Sequence, residues 1–460
     1  MKQLFGFLLL LTAAYARADV SLPAMLNSNM VLQQQTDITL WGWANPTEQI
    51  TITAGWDNKP VSITCAENAT WRVTLHTPAA GGPYEITIKG YNKIVLSNIL
   101  IGEVWLCSGQ SNMEMSGYGA RDARAELPMA YNPMIRFMKV PKTAADYPQS
   151  TVRGSWAVCD SNSLKNFSAV GFFFGRKLQQ TLNVPIGLID ASWGGSYMES
   201  WVPEPLVMLY PDLKQSAQAI GKAPWSPNKA GVLYNGMIAP LTQFPIAGVI
   251  WYQGESNRHD PRAYYHLTHV MVDSWRGLWQ KEFPFYSVQI APYTYNGKHE
   301  TAAVREAQVR ATDLPKSGIV ITTDQVDNIR DIHPVYKKEV GLRLANYALA
   351  ETYGKAVGPY KSPQYRSMQI AGNVVRLLFD NVPDGFMVKG ADITEFEIAG
   401  QDKVFTKAQA RVKGNTIEVS APSVANPVAV RFAFRDAPEP VLFSKGGLPV
   451  IPFRTDDWDL

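Results

Sequence analysis

Between residues 101 and 322 the chain carries five short apolar runs: Val104–Cys107, Ile186–Ser192, Ile246–Tyr252, Phe285–Ile290 and Ile319–Thr322. The first three break off into small polar residues: Ser108-Gly109-Gln110-Ser111, Gly194-Gly195 and Gln253-Gly254-Glu255. Near-continuous apolar strands of this kind are buried on both faces, which is the situation of a parallel sheet covered by helices. Helical stretches lie between them at 166–182, 263–280, 303–312 and 335–353. The pattern predicts an α/β layered domain with a parallel sheet over residues 101–355.

On either side the pattern changes to strict alternation. Asp37–Trp43, Gln49–Ala54, Thr70–Leu75 and Tyr84–Lys89 precede the α/β segment; Val374–Phe379, Ile393–Ile398, Thr416–Ser420 and Val428–Phe434 follow it. Short alternating strands separated by turn residues suggest small sandwiches. The expected organisation is an N-terminal β-module at 19–100, the α/β domain at 101–355 and a C-terminal β-module at 356–460. No tandem repeat or low-complexity linker separates them, so the three parts are expected to pack together.

Residues 1–18 read as a signal peptide. Met1-Lys2 gives a basic start, Leu4 to Ala14 is mainly apolar, and Ala16-Arg17-Ala18 supplies small residues at a cleavage site. The run is too short for a membrane span, so export without stable membrane insertion is expected, to a bacterial periplasm or as a secreted protein. The three cysteines, Cys65, Cys107 and Cys159, leave at least one thiol unpaired; a Cys107–Cys159 bridge and three buried thiols are both open readings. No clustered Cys/His pair suggests zinc. A net charge of +3 over 460 residues gives no basic surplus for a nucleic-acid partner.

In an open parallel sheet, ligands bind beyond the carboxyl ends of the strands, and the polar clusters fall at such ends. Ser111 sits at a strand-to-helix turn, where a hydroxyl and backbone N–H groups meet; the competing reading is a helix cap, with Glu114 at the capping-box spacing. His333 follows an apolar strand and precedes Pro334, which opens helices; it is a candidate base, or a loop hydrogen-bonder. Gly194 and Gly195 can bring bare N–H groups close to an anion, or simply make a tight turn. Gln253 adds a side-chain amide.

Five blocks carry a family resemblance: Gly102–Glu114 with Gly-Gln-Ser-Asn-Met at its end, Trp193–Trp201, Tyr234–Pro240, Trp251–Asn257 and Asp331-Ile-His-Pro334. Together they resemble the sialate O-acetylesterase family of SGNH hydrolases. The resemblance implies a three-layer α/β hydrolase flanked by β-sandwich-like modules, with Ser111 as nucleophile and His333 as its base. It puts the backbone oxyanion donor at Gly194 or Gly195, with Gly195 preferred, and gives Gln253 a donor role. The general SGNH pattern has an Asp three residues before the His, where this chain has Arg330. The orienting acid is therefore Asp331, two residues before His333, or Glu255, by likeness to a related acetylxylan esterase group. Asn235 and Arg305 are the expected substrate contacts, with Arg258 and Arg330 as other candidates for a carboxylate clamp. No metal or cofactor is implied. The implied partner is an acetylated sugar or glycan, O-acetylated sialic acid first and acetylxylan second. A non-catalytic glycan-binding protein is the rival of another class, and no Gly-x-Ser-x-Gly elbow suggests a lipase.

Overall fold

The computed structural model describes residues 19–221, 224–295 and 300–459. The expected signal peptide lies outside them. Among the described residues no helix is long and apolar enough to cross a membrane.

The central sheet is built from β1 (Lys93–Gly109), β2 (Asn132–Lys139), β3 (Trp156–Cys159), β4 (Ile186–Ser192), β5 (Gly248–Tyr252), β6 (Phe285–Val288) and β7 (Ser317–Val320), in the spatial order β7-β6-β5-β1-β4-β2-β3. Every neighbouring pair is parallel except β2 with β3. The apolar runs thus form the mostly parallel sheet that their continuous burial requires. The antiparallel β2–β3 edge was not anticipated: Arg136 interrupts the apolar residues of β2, and β3 is a run of only four residues, Trp-Ala-Val-Cys.

Helices cover both faces. On one side α2 (Ala169–Leu182) packs on α5 (Lys338–Glu351), over Trp105 and Cys107 of β1. On the other, α3 (Pro261–Trp279) and α4 (Glu300–Arg310) cover the face that holds Val104 and Leu106. Alternate residues of one strand therefore serve two cores, as the period-two geometry of a strand dictates.

β1 has 17 residues, and its first part belongs to another sheet. Lys93–Ile101 pairs antiparallel with Gly81–Lys89, while Leu100–Gly102 pairs parallel with Val31–Gln33. The expected boundary between residues 100 and 101 thus falls inside one continuous strand. The C-terminal region forms separate antiparallel sheets, one of them Gln364–Ala371, Val374–Asp380, Thr416–Ser420 and Gln409–Lys413 in that order. All three cysteines are free and buried, so the Cys107–Cys159 bridge is not formed.

Chain direction positions the site. From β1 the sheet grows one way through β4, β2 and β3 and the other way through β5, β6 and β7, so β1 lies at the switch point where such sheets open a crevice. The register brings three strand ends level: Gly109 faces Ser192 on one side and Tyr252 on the other. Gly109 has φ +130°, and a Cβ there would lie 2.2 Å from the Tyr252 carbonyl oxygen. Only glycine fits this close approach.

Candidate active site

Ser111 opens a one-turn helix, α1 (Ser111–Glu114), directly beyond Gly109 and Gln110. Gln110 is the N-cap and no side chain caps the turn, so the capping-box reading of Ser111 and Glu114 does not hold. The Ser111 hydroxyl meets the imidazole instead: His333 Nε2 lies 2.9 Å from Ser111 Oγ. The two residues are 222 positions apart in the chain and are joined only by the fold.

His333 stands on the loop between β7 and α5. Its partial burial holds the imidazole below its ordinary pKa; the Asp331 carboxylate opposes that shift and the Lys337 ammonium adds to it. A hydroxyl at hydrogen-bond distance from a neutral imidazole can pass its proton to that base as it attacks an electrophile.

The two acid candidates part company. Asp331 Oδ1 accepts the His333 backbone N–H at 2.9 Å and lies 3.9 Å from His333 Nδ1. Glu255 is buried and accepts from Asn112 Nδ2 through Oε1 at 2.7 Å, while its Oε2 has no hydrogen-bond partner. Burial pushes the Glu255 carboxyl above the usual range. Asp331 is thus the carboxylate beside the ring, and Glu255 meets the asparagine behind the serine.

The glycine turn after β4 closes the other side. A Cβ on Gly194 would lie 3.2 Å from Ser111 Cβ, so this backbone runs against the serine. The Gly194 N–H donates to Glu114 Oε2 at 2.6 Å, and Glu114 Oε1 pairs with Lys142 Nζ at 2.5 Å. Among the described residues, the N–H groups of Gly195 and Ser111 have no intramolecular acceptor. Gly195 has φ +74°, a left-handed conformation suited to glycine.

Gln253 is buried at the end of β5. Its Nε2 donates to the Ser196 carbonyl at 3.1 Å and to Asn257 Oδ1 at 2.8 Å. Both amide hydrogens are engaged, so the expected oxyanion contact requires one of these bonds to be given up. Asn235 does not reach the serine through any hydrogen bond; its Nδ2 donates to the Ala145 carbonyl at 3.1 Å and ties down the loop after β2. Arg305 corrects the sequence expectation: it is fully buried and donates to the carbonyls of Arg435 and Asp436. Its guanidinium is a plug between α4 and the C-terminal region and cannot clamp a substrate carboxylate. Arg258 stacks over the Tyr295 ring at 4.8 Å, and Arg330 is exposed.

Four neighbours were missed by sequence reasoning. Lys142 sits 5.7 Å above the Trp193 ring, and Trp225, 69% exposed, leans on Gly195 and accepts the Trp193 Nε1–H bond at its carbonyl. Asn112 and Lys337 form a buried hydrogen bond behind the Ser111 turn. Nothing in local periodicity marks Lys142, Trp225 or Lys337; Asn112 lay inside the Gly-Gln-Ser-Asn-Met block, where only the serine was given a role.

The model of the family described as carbohydrate esterase, sialic acid-specific acetylesterase, matches residues 101–350. Sialate O-acetylesterases of Pongo abelii and Homo sapiens are each 32% identical over 384 residues, covering 74% of this chain and 72% of theirs. A crystal structure of a carbohydrate acetylesterase from Xanthomonas citri superposes with TM-score 0.88 at 33% identity, over 95% of this chain and all of that one. With an α/β sheet that presents Ser111 to His333 and a family match across more than half its length, the chain belongs to the sialic acid-specific acetylesterase family of carbohydrate esterases.

Proposed function

We propose that the protein removes O-acetyl groups from sialic acid or a similar acetylated sugar through an acetyl-enzyme on Ser111. The observation that carries this reading is the 2.9 Å contact between His333 Nε2 and Ser111 Oγ at the switch point of the sheet.

Ser111 Oγ attacks the acetyl carbonyl carbon while His333 Nε2 takes the hydroxyl proton. The carbonyl oxygen becomes an oxyanion, for which the N–H groups of Ser111 and Gly195 are the available backbone donors. The tetrahedral intermediate collapses; the ester C–O bond breaks and His333 returns its proton to the departing sugar hydroxyl. Water then attacks the acetyl-enzyme by the same route, giving acetate and free Ser111. Asp331 steadies the imidazolium formed in each step, from 3.9 Å on the Nδ1 side. Glu114 acts on geometry: by holding the Gly194 N–H it fixes the turn that presents Gly195.

The rim fits a sugar. The Trp225 indole lies edge-on to Gly195, Trp193 is hydrogen-bonded to the Trp225 carbonyl, and Lys142 sits over the Trp193 ring within reach of the same turn. A carboxylate-bearing sugar would compete with Glu114 for that ammonium. We further propose export, on the basic start, the apolar run and Ala16-Arg17-Ala18; amino-terminal sequencing of the mature chain beginning at Asp19 would support it, and retention of Met1 would overturn it.

Acetate release from 9-O-acetylated sialic acid and from acetylated xylo-oligosaccharide, measured side by side, tests the reading. Ser111→Ala is expected to lower release on the order of a thousandfold or more. Preference for the sialic acid supports the family's named substrate, and preference for the xylo-oligosaccharide moves the assignment to another sugar with the mechanism intact. Full activity in Ser111→Ala would overturn the acetyl-enzyme.

A further inference from the structure

Behind the Ser111–His333 pair lies a cluster that the reaction as written does not use. Lys337 is 1% exposed, four residues beyond His333. Its Nζ donates to Asn112 Oδ1 at 2.7 Å. Asn112 in turn donates through Nδ2 to Glu255 Oε1 at 2.7 Å and to the Ile332 carbonyl at 3.2 Å. Asn112 follows Ser111 in the chain and Ile332 precedes His333, so this one side chain ties the backbone of the serine turn to that of the histidine loop. The Lys337 backbone N–H is itself held by Asp122 Oδ2 at 2.7 Å.

We propose that Lys337 is a positioning residue for the Ser111–His333 pair: its buried ammonium clamps Asn112 across the two loops that carry them. The inference rests on the acetyl-enzyme reading above and adds a residue to it.

Energetics argue that this cation has a purpose other than stability. Burying an ammonium carries a large desolvation penalty, and apolar replacements of buried ion pairs are often neutral or stabilising. The charged groups facing Lys337 are Glu255, Asp122, Asp331 and Asp327, and its ammonium lies 5.5 Å from the Tyr252 ring centroid. Burial nevertheless brings its pKa down to about 8. The groups facing His333 are Asp331, which favours the imidazolium, and Lys337, which opposes it. Removing the Lys337 charge therefore makes His333 easier to protonate.

The test is the pH dependence of acetate release from 9-O-acetylated sialic acid by the full-length protein. Lys337→Met is expected to lower kcat by about 10- to 100-fold with KM little changed, the loss expected from misplaced reacting groups. Its acidic limb in kcat/KM should move to higher pH. Lys337→Gln, which keeps an N–H donor for Asn112 but no charge, should show the same displaced limb; Lys337→Arg should restore the wild-type limb. The Gln and Arg pair carries the test if the Met variant does not fold. Coincident limbs in wild type, Gln and Arg variants, or an unchanged kcat in a folded Met variant, overturn the proposal. Ser111→Ala in the same series separates the two readings: surviving release there overturns the acetyl-enzyme and this inference with it, whereas lost release with coincident limbs overturns the Lys337 role alone.

Discussion

The two flanking β-regions carry the same alternating sequence pattern and join the catalytic layer in opposite ways. The N-terminal region shares a strand with the central sheet, and Ile50, Ile88, Ile99 and Ile101 belong to one continuous core with Leu106, Ile189 and Trp251. The C-terminal region keeps its own core around Val375, Leu377, Ile417 and Phe432. Its contacts with the catalytic layer include buried and half-buried polar ones: Arg454 with Glu306, Arg305 with two carbonyls, and Thr301 with Asp436. Apolar contacts join them: Ile451 beside Ile319 and Ile321, and Tyr360 edge-on to Tyr347 of α5. Alternation says that one face of a strand is buried; it does not say what buries it.

If the shared strand welds the N-terminal region to the site, damage there should be global. Ile101 is fully buried and pairs with Leu32 on one side and Gly81 on the other. Ile101→Ala should cost about 2–5 kcal/mol, the range for emptying such a core position. Unfolding in urea followed by circular dichroism and by acetate release should shift as one transition. An early separate transition with activity retained would break the comparison from the N-terminal side.

The polar junction should fail more locally. Arg305→Met leaves the carbonyls of Arg435 and Asp436 without their buried donor, a loss of about 1–3 kcal/mol. Amide exchange should quicken across 364–454 while acetate release persists under mild conditions. Unchanged exchange there, or activity falling in step with it, would show that the C-terminal region is bound as tightly as its counterpart.

This contrast also marks how far the sequence could be read. The five apolar runs found the parallel sheet; Ser111 and His333 stood out by position only as candidates beside cap and loop readings, and it was the family resemblance that cast them as nucleophile and base. The shared strand was not legible, since the turn-type pair Ser97-Asn98, with Asn98 at φ +57°, stands between the alternating Lys93–Leu96 and the continuous burial from Ile99 onward, and the strand nonetheless runs through it. Arg305 and Lys337 were illegible for another reason: a charged residue on a helix or loop looks solvated until tertiary packing covers it, and only the fold shows Arg305 facing backbone carbonyls. Gln253 was located correctly at a strand end, but the Ser196 carbonyl and the Asn257 side chain that occupy its amide are set by packing.

The folded His333 has a lowered pKa, so the neutral base persists below the ordinary imidazole range and kcat/KM falls only as pH drops through the lowered value. Asp331→Asn removes the charge that raises this pKa, and the acidic limb should move further down. Arg305→Met should leave the limb where it is. A limb that moves with Arg305 would mean that the C-terminal region reaches the site electrostatically, against its separate core.

The smallest expected effect lies at the same junction. Glu306, on α4, takes Arg454 through Nε at 3.0 Å and through a second guanidinium nitrogen at 3.1 Å. Arg454 keeps other partners without it, the Trp458 carbonyl at 2.6 Å and Asp456 at 3.6 Å. Both side chains of the pair are partly exposed, so solvent screens the interaction. Glu306→Ala should therefore cost about 0.2–1 kcal/mol, and the difference from wild type should shrink in high salt. Denaturant midpoints at low and high ionic strength check this. A loss as large as that of Arg305→Met, or one insensitive to salt, would place the hold on the C-terminal region in this half-buried pair and not in the buried guanidinium.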